Sequence, residues 1–145
     1  MKTVREMLLK KGNKIYSISP NQKIFEALQL MAEKEVGALL VLDGENLVGI
    51  ISERDYARKV ALEGKSSKEC LVSEIMSTKI VYIEEDTRTD ECMALMINKK
   101  VRHLPVYDKG KLVGVISIGD VVNAVIDEKE FEIDQLVRYI TGSRG

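Results

Sequence analysis

The chain has 145 residues, of which 45% are hydrophobic and 31% charged, and its formal net charge at pH 7 is −1. This length suits one compact domain or two intimately packed halves, and the balanced charge argues against a general nucleic-acid binder, which usually presents a basic face. We expect a cytoplasmic protein with no membrane or nucleic-acid partner, because no apolar run approaches the roughly 20 residues of a membrane span and the charged N-terminus does not resemble a signal peptide.

Hydrophobic periodicity predicts a helix, a strand and a second helix at the start of the chain. Apolar residues three and four apart favour a helix over residues 4–10, and alternation favours a strand over residues 14–19, with Ile15 and Ile18 as its core positions. Residues 19–21 (SPN) have the composition of a helix N-terminus, with the proline near the first turn. The apolar face of the helix that follows consists of Ile24, Ala27, Leu28, Met31 and Ala32.

A hairpin and a third helix follow. The dipeptide Asp43-Gly44 lies between apolar runs at residues 38–42 and 47–51, and this pattern predicts an antiparallel pair of strands joined by a tight turn. A helix is then expected to begin at Ser52. The segment from 61 to 70 is polar and small, which is the composition of a linker.

The segment at residues 47–55, LVGIISERD, recurs as LVGVISIGD at residues 112–120, an offset of 65 residues. Each copy is a branched apolar run, typical of a strand, that ends in a serine followed three positions later by an aspartate. Serine is an N-cap residue, and an aspartate in the first turn can complete a capping box. Each copy therefore predicts a strand that runs into a helix, whose unpaired N–H groups can face an anion. The two helix starts are Ser52 with Asp55 and Ser117 with Asp120.

The repeat covers most of the chain and sets the predicted domain organisation. We divide the chain into a first repeat with its N-terminal helix at residues 1–66, a second repeat at residues 67–128 and a C-terminal helical extension at residues 129–145. The predicted order of elements in each repeat is strand, helix, strand, strand, helix, which indicates an α+β fold. Neither small sheet can bury its own apolar face, so the repeats are expected to pack on each other with pseudo-two-fold symmetry.

Residues for catalysis or metal binding do not form a pattern. The chain has one histidine, His103, and neither a nucleophile elbow nor a metal-ligand spacing. Cys70 and Cys92 form no CxxC motif, which argues against a disulfide framework or a zinc site. We therefore predict no catalytic residue and no metal, and an enzyme acting on nucleotides is the weakest hypothesis. Plain helix capping remains the alternative explanation of the two Ser-x-x-Asp motifs.

The repeated unit, with its LVGIIS and LVGVIS endings and its strands VGALLV and VRHLPV, resembles the cystathionine beta-synthase (CBS) domain. Over residues 4 to about 125 the tandem resembles a Bateman module, as found in the regulatory parts of inosine monophosphate dehydrogenase and AMP-activated protein kinase. Modules of this kind bind adenosine nucleotides in clefts between the repeats and pair into a flat dimeric disc. The resemblance implies a stand-alone sensor that binds AMP, ATP or NAD(H) as a ligand, without a catalytic cofactor.

The resemblance also implies partners. Occupancy of the clefts would reach a regulated enzyme or transporter through the shape of a homodimer, whose interface we expect at the helices around residues 24–31 and 89–96 and after Ser52 and Ser117. The alternative is a dimeric interaction scaffold with vestigial nucleotide clefts.

The resemblance assigns roles to the repeated motif. Asp55 and Asp120 are expected to hold ribose hydroxyls, and Ser52 and Ser117 are expected to lie beside the phosphates. The base is expected against the opposite repeat. The wall expected across from Asp120 consists of Tyr16, Val36, Gly37 and Ala38, and the wall expected across from Asp55 consists of Val81, Val101, Arg102 and His103.

The two copies differ at these positions, so the clefts are not expected to be equivalent. Arg54 lies within the first Ser-x-x-Asp motif, where the second has Gly119, which leaves room for backbone approach. Arg102-His103 stands where the first copy has Gly37-Ala38. We therefore expect the Asp55 cleft, with its additional cations, to gain more affinity from added phosphates.

Overall fold

A computed structural model describes residues 2–142 of the protein. The helices and strands in chain order are α1 (Val4–Lys11), β1 (Ser17–Ile18), α2 (Ile24–Lys34), β2 (Ala38–Asp43), β3 (Asn46–Ser52), α3 (Glu53–Tyr56), α4 (Val72–Ile75), β4 (Ile83–Glu84), α5 (Thr89–Lys99), β5 (His103–Asp108), β6 (Lys111–Ser117) and α6 (Ile118–Thr141). A π-helical segment, Ala57–Ala61, continues α3.

The chain forms two compact units, each built around one sheet. The first-repeat unit consists of residues 15–80, and the second-repeat unit consists of residues 1–14 together with residues 81–145. Each sheet has three strands, in the order β1-β2-β3 or β4-β5-β6. In both, the first two strands are parallel and the last two antiparallel. The predicted α+β class and the repeated order of elements are confirmed.

The 65-residue offset is preserved in the strand register. Ile18 pairs with Val41 in one sheet, and Ile83 pairs with Val106 in the other. The residues just before α3 and α6 also have corresponding partners: Ala38 lies opposite Ser52, and His103 lies opposite Ser117.

The first hairpin closes as its turn residues predict. Asp43 pairs with Asn46 in an antiparallel ladder, which leaves Gly44 and Glu45 as a two-residue turn. Gly44 has φ of 62°, a left-handed conformation that glycine adopts without strain. The predicted tight turn is confirmed.

Each unit has its own apolar core. The core of the first-repeat unit consists of Ile18, Ile24, Ala27, Met31, Leu39, Val41, Ile51, Val60, Cys70, Val72 and Ile75. The core of the second-repeat unit consists of Val4, Met7, Leu8, Ile83, Cys92, Met96, Leu104, Val106, Ile116, Val121 and Ala124. Of the helix face predicted from 24 to 32, Leu28 is half-buried and Ala32 is exposed.

The second helix begins later than the sequence suggests. Residues 19–21 form a turn, in which the Gln22 N–H donates to the Ser19 carbonyl at 3.2 Å, and α2 begins only at Ile24. Lys23 forms an isolated antiparallel bridge with Leu71, which holds the backbone extended up to the helix. The predicted start at residues 19–21 was wrong because a contact with a distant part of the chain delays the helix.

Helix α1 packs in the second-repeat unit rather than with the repeat that it precedes in sequence. The N–H of Val4 donates to the Thr87 carbonyl at 2.8 Å, and the Leu8 side chain lies against Gly114, where an added Cβ would be 2.8 Å from Leu8 Cδ2. Helix α4 has the corresponding place in the first-repeat unit, with the Val72 N–H donating to the Gln22 carbonyl at 2.8 Å. The division at residues 66 and 67 thus follows the sequence repeat, whereas packing assigns α1 and α4 differently.

Helix α6 is continuous over 24 residues. The helix predicted to begin at Ser117 and the predicted C-terminal extension at residues 129–145 form one helix as far as Thr141, and residues 143–145 of that extension lie outside the described residues. Val121 and Ala124 are buried on one face of α6. Large apolar side chains that remain exposed along the helix are Ile118, Val122, Ile126, Phe131, Ile133, Leu136, Val137, Tyr139 and Ile140.

Candidate functional site

The candidate site in the first-repeat unit is built on the start of α3. The Ser52 hydroxyl oxygen accepts from the Asp55 N–H at 3.2 Å, and Asp55 Oδ2 accepts from the Ser52 N–H at 3.0 Å. Ser52 Oγ also lies 3.0 Å from Asp55 Oδ2, to which it can donate. These reciprocal bonds form the predicted capping box and fix the Asp55 carboxylate beside the helix N-terminus.

The second-repeat unit repeats this arrangement at the start of α6. The Ser117 N–H donates to Asp120 Oδ2 at 2.8 Å, and the Asp120 N–H donates to Ser117 Oγ at 3.2 Å. Asp120 and Asp55 are both half-buried. Each unit therefore presents a serine and a carboxylate, held in one geometry, next to backbone N–H groups.

A lysine binds each of these aspartates. Lys59 Nζ lies 3.4 Å from Asp55 Oδ1, and Lys11 Nζ lies 2.5 Å from Asp120 Oδ2. The spacing of four residues between Asp55 and Lys59 could have indicated the first pair, since residues i and i+4 are neighbours on a helix. Lys11 and Asp120 are 109 residues apart, and the sequence offers no signal that joins them.

Within the first-repeat unit, two of the predicted base-contacting residues lie next to the helix start. The Gly37 carbonyl accepts from the Glu53 N–H at 3.0 Å, and Ala38 pairs with Ser52 across the sheet. Val36 and Tyr16 are half-buried against the same core, and Arg54 is exposed in the first turn of α3.

The second-repeat unit places the corresponding residues in the same way. The Arg102 carbonyl accepts from the Ile118 N–H at 2.9 Å. Val81 and Val101 are half-buried against the core. Gly119 lies in the first turn of α6, where an added Cβ would be 3.6 Å from Ser117 Oγ. The structure thus brings Arg102, and His103 opposite Ser117, to the helix start of their own unit. The assignment of each wall to the aspartate of the opposite repeat stays a prediction.

A cavity of about 320 Å³ lies next to Asp120, between α1 and α6. Its charged lining residues are Lys2, Lys10, Lys11, Glu6, Asp120 and Asp127. The hydrogen bond from Lys10 Nζ, 2.5 Å long, holds the pKa of Asp127 below its usual range. The cavity has the size of a small ligand pocket, and its lining carries as many acidic as basic side chains.

Cys92 is a buried thiol in the core of the second-repeat unit. Burial, together with the charges of Glu91 and Asp90, raises the pKa of the Cys92 thiol to about 11, which keeps it protonated at neutral pH. Residues 2–142 contain no group of three or more histidine, cysteine, aspartate or glutamate side chains that could hold a metal ion. In the same part of the chain, no helix has the length and apolar character to cross a membrane.

Known proteins are similar to this chain in sequence and in fold. The CBS domain family model matches the chain twice, over residues 4–62 and 72–127. The mitochondrial CBS domain-containing protein CBSX3 of Arabidopsis thaliana is 39% identical over 124 residues, which are 82% of this chain and 60% of that protein. The chain thus spans about three fifths of that relative's length. The CBS domain-containing protein YhcV of Bacillus subtilis is 35% identical and is matched over 81% of its length.

Solved structures give the same result. A protein with CBS domains from Burkholderia ambifaria is 52% identical, with a TM-score of 0.83, and the match covers 87% of this chain and 95% of that one. The CBS-domain containing protein ATU1752 from Agrobacterium tumefaciens is 35% identical, with a TM-score of 0.80 over 85% of this chain and 98% of its own. The chain therefore belongs to the CBS-domain family and carries two CBS domains in tandem.

Proposed function

We propose that the protein is a regulatory module that binds an adenosine nucleotide at the starts of α3 and α6 and passes occupancy to a partner enzyme or transporter. The observation that carries this proposal is the duplication of one Ser-x-x-Asp geometry at the same register of two sheets. A carboxylate can accept hydrogen bonds from both hydroxyls of a ribose, and backbone N–H groups at a helix N-terminus favour a phosphate.

The charges near the helix starts support a phosphorylated ligand. Arg54 lies within the first motif, and Lys59 lies beside Asp55. Lys11 lies beside Asp120 in the second-repeat unit. Cationic side chains beside the N-terminus of a helix favour a ligand that carries negative charge as well as hydroxyls.

We infer that the module regulates without turning over its ligand. Cys92 is protonated and buried, and the only histidine of the chain, His103, belongs to a strand. Binding and release of a nucleotide need only the groups described above, so no reaction has to be invoked.

Calorimetric titration tests this function. We expect heat of binding with at least one of AMP, ATP, NAD⁺ and NADH, and little with the guanosine nucleotides as controls for base recognition. Chromatography of the mixture after the titration is expected to recover the nucleotide unchanged. Absence of binding for the whole adenosine panel would overturn the proposal and leave the scaffold hypothesis, and consumption of the ligand would show an enzyme.

We also propose that two copies of the chain pair through the exposed apolar stripe of α6. The stripe consists of seven residues, each between 42% and 72% exposed: Ile118, Val122, Ile126, Ile133, Leu136, Val137 and Ile140. Their spacing of mostly three, four and seven residues places them on one face, and a continuous apolar face of this kind marks an interaction surface. The expected contribution of the helices around residues 24–31 and 89–96 stays a prediction.

Light scattering is therefore expected to give twice the chain mass of 16.3 kDa at micromolar concentration. Leu136→Glu should shift the protein towards the monomer, because it places a charge within the stripe. Gln135→Glu introduces the same charge one position away and is expected to leave the dimer intact. A wild-type monomer, or equal behaviour of the two variants, would contradict the stripe as the interface.

A further inference from the structure

We propose that Lys11 and Lys59 are latches, each holding its aspartate in the ligand-free protein and tying it to a short helix that ligand binding releases. The inference rests on the proposed function, because it takes Asp55 and Asp120 as the ribose-binding groups. It concerns a step beyond binding, namely how ligand binding at each aspartate is transmitted to a short helix of the same unit.

Lys11 makes two contacts that join α1 to the start of α6. Its Nζ donates to Asp120 Oδ2 at 2.5 Å and to the Val115 carbonyl at 2.9 Å. Lys11 is the last residue of α1, so both contacts hold the C-terminal end of that helix against β6 and the capping box. A ligand hydroxyl that takes the place of the amine on Asp120 would remove one of the two bonds.

Lys59 makes the corresponding contacts in the first-repeat unit. Its Nζ lies 3.4 Å from Asp55 Oδ1 and donates to the Ile75 carbonyl at 3.0 Å. Ile75 is the last residue of α4, the short helix that has the place in this unit that α1 has in the other. One amine in each unit thus connects a candidate ribose-binding carboxylate to a short helix.

The two lysines lie at positions that do not correspond in the two repeats. The residue 65 positions after Lys59 is Ala124, a buried core residue of α6, so the second repeat has no lysine at the corresponding position. Helix α1 supplies the amine instead. Two unrelated positions in the sequence therefore produce one arrangement, a lysine that bridges the aspartate and a backbone carbonyl.

The strength of these pairs suits a latch that a ligand can open. The Lys11 side chain is 32% exposed and that of Asp120 is 21% exposed, and the values for Lys59 and Asp55 are 44% and 19%. Ion pairs that water reaches change an equilibrium by at most about fivefold. Hydrogen bonds from two ribose hydroxyls can replace such a pair, so binding and release of the helix would occur together.

The test compares Lys11→Met with Lys10→Met, titrating each with adenosine. Both variants lose one positive charge from the same end of α1 and from the same cavity, but Lys10 binds Asp127 rather than Asp120. Adenosine is the probe because it has a ribose and no phosphate, so the loss of charge does not affect its attraction to the site. We expect Lys11→Met to bind adenosine up to about fivefold more tightly than wild type, and Lys10→Met to bind it as wild type does.

Hydrogen exchange supplies the second readout. Adenosine is expected to speed exchange at the C-terminal end of α1 in wild type, and Lys11→Met should show that faster exchange before any ligand is added. If wild type binds adenosine or its nucleotides but the affinity and exchange of Lys11→Met equal those of Lys10→Met, the latch is wrong and the proposed function stands. If wild type binds no member of the adenosine series, the proposed function itself fails.

Discussion

Replacing Asp120 by Asn is expected to weaken adenosine nucleotide binding at the start of α6 by about 1 to 3 kcal/mol, or roughly 5- to 140-fold. The carboxylate is charged and can accept from two ribose hydroxyls, whereas the amide has one acceptor oxygen and no charge. Isothermal titration measures the loss. Asparagine is preferable to alanine here because the Asp120 carboxylate also caps the Ser117 N–H at 2.8 Å, and the amide oxygen can keep that bond.

Asp127→Asn is the matched control. It makes the same chemical change in a carboxylate that lines the same cavity and is held by Lys10 rather than by the capping box. We expect it to change affinity little, and thermal unfolding should show both variants folded. Equal affinities of the two folded variants would mean that Asp120 only caps the helix.

Truncating Leu8 to Ala is expected to lower the free energy of unfolding by about 2 to 5 kcal/mol. Leu8 is 7% exposed and belongs to the core of the second-repeat unit, where it lies against Gly114. The truncation would leave a cavity between α1 and β6, because the strand has no side chain at Gly114 to fill the space. Urea unfolding followed by circular dichroism measures the change.

Leu9→Ala provides the comparison within the same helix. Leu9 is 80% exposed, so its truncation should change stability by no more than about 0.5 kcal/mol. A similar cost for both variants would show that α1 is not packed into the second-repeat unit in solution.

Much of the fold could be predicted because its determinants are local. Asp43-Gly44 selects a tight turn whatever the rest of the chain does, and the branched runs on either side can only pair antiparallel across it. The two capping boxes are likewise contained within four residues each. Since the sequence is duplicated, each prediction from one copy is checked by the other.

The start of α2 and the pairing of Lys11 with Asp120 could not be predicted, because the partners are distant in the chain. Lys23 meets Leu71, and Lys11 meets Asp120, only after the chain has folded. Hydrophobic periodicity shows that a residue prefers burial, but it does not say which segment covers it.

The sequence by itself determined the repeated strand and helix pattern, the antiparallel hairpin at residues 38–51 and the two Ser-x-x-Asp helix starts. Only the tertiary structure decided that α1 completes the core of the second-repeat unit and that α4 completes that of the first. The physical reason is that a short amphipathic helix has too few contacts to be stable alone. It therefore packs wherever a sheet leaves an apolar face open, and for α1 that face is beside Gly114, more than a hundred residues along the chain.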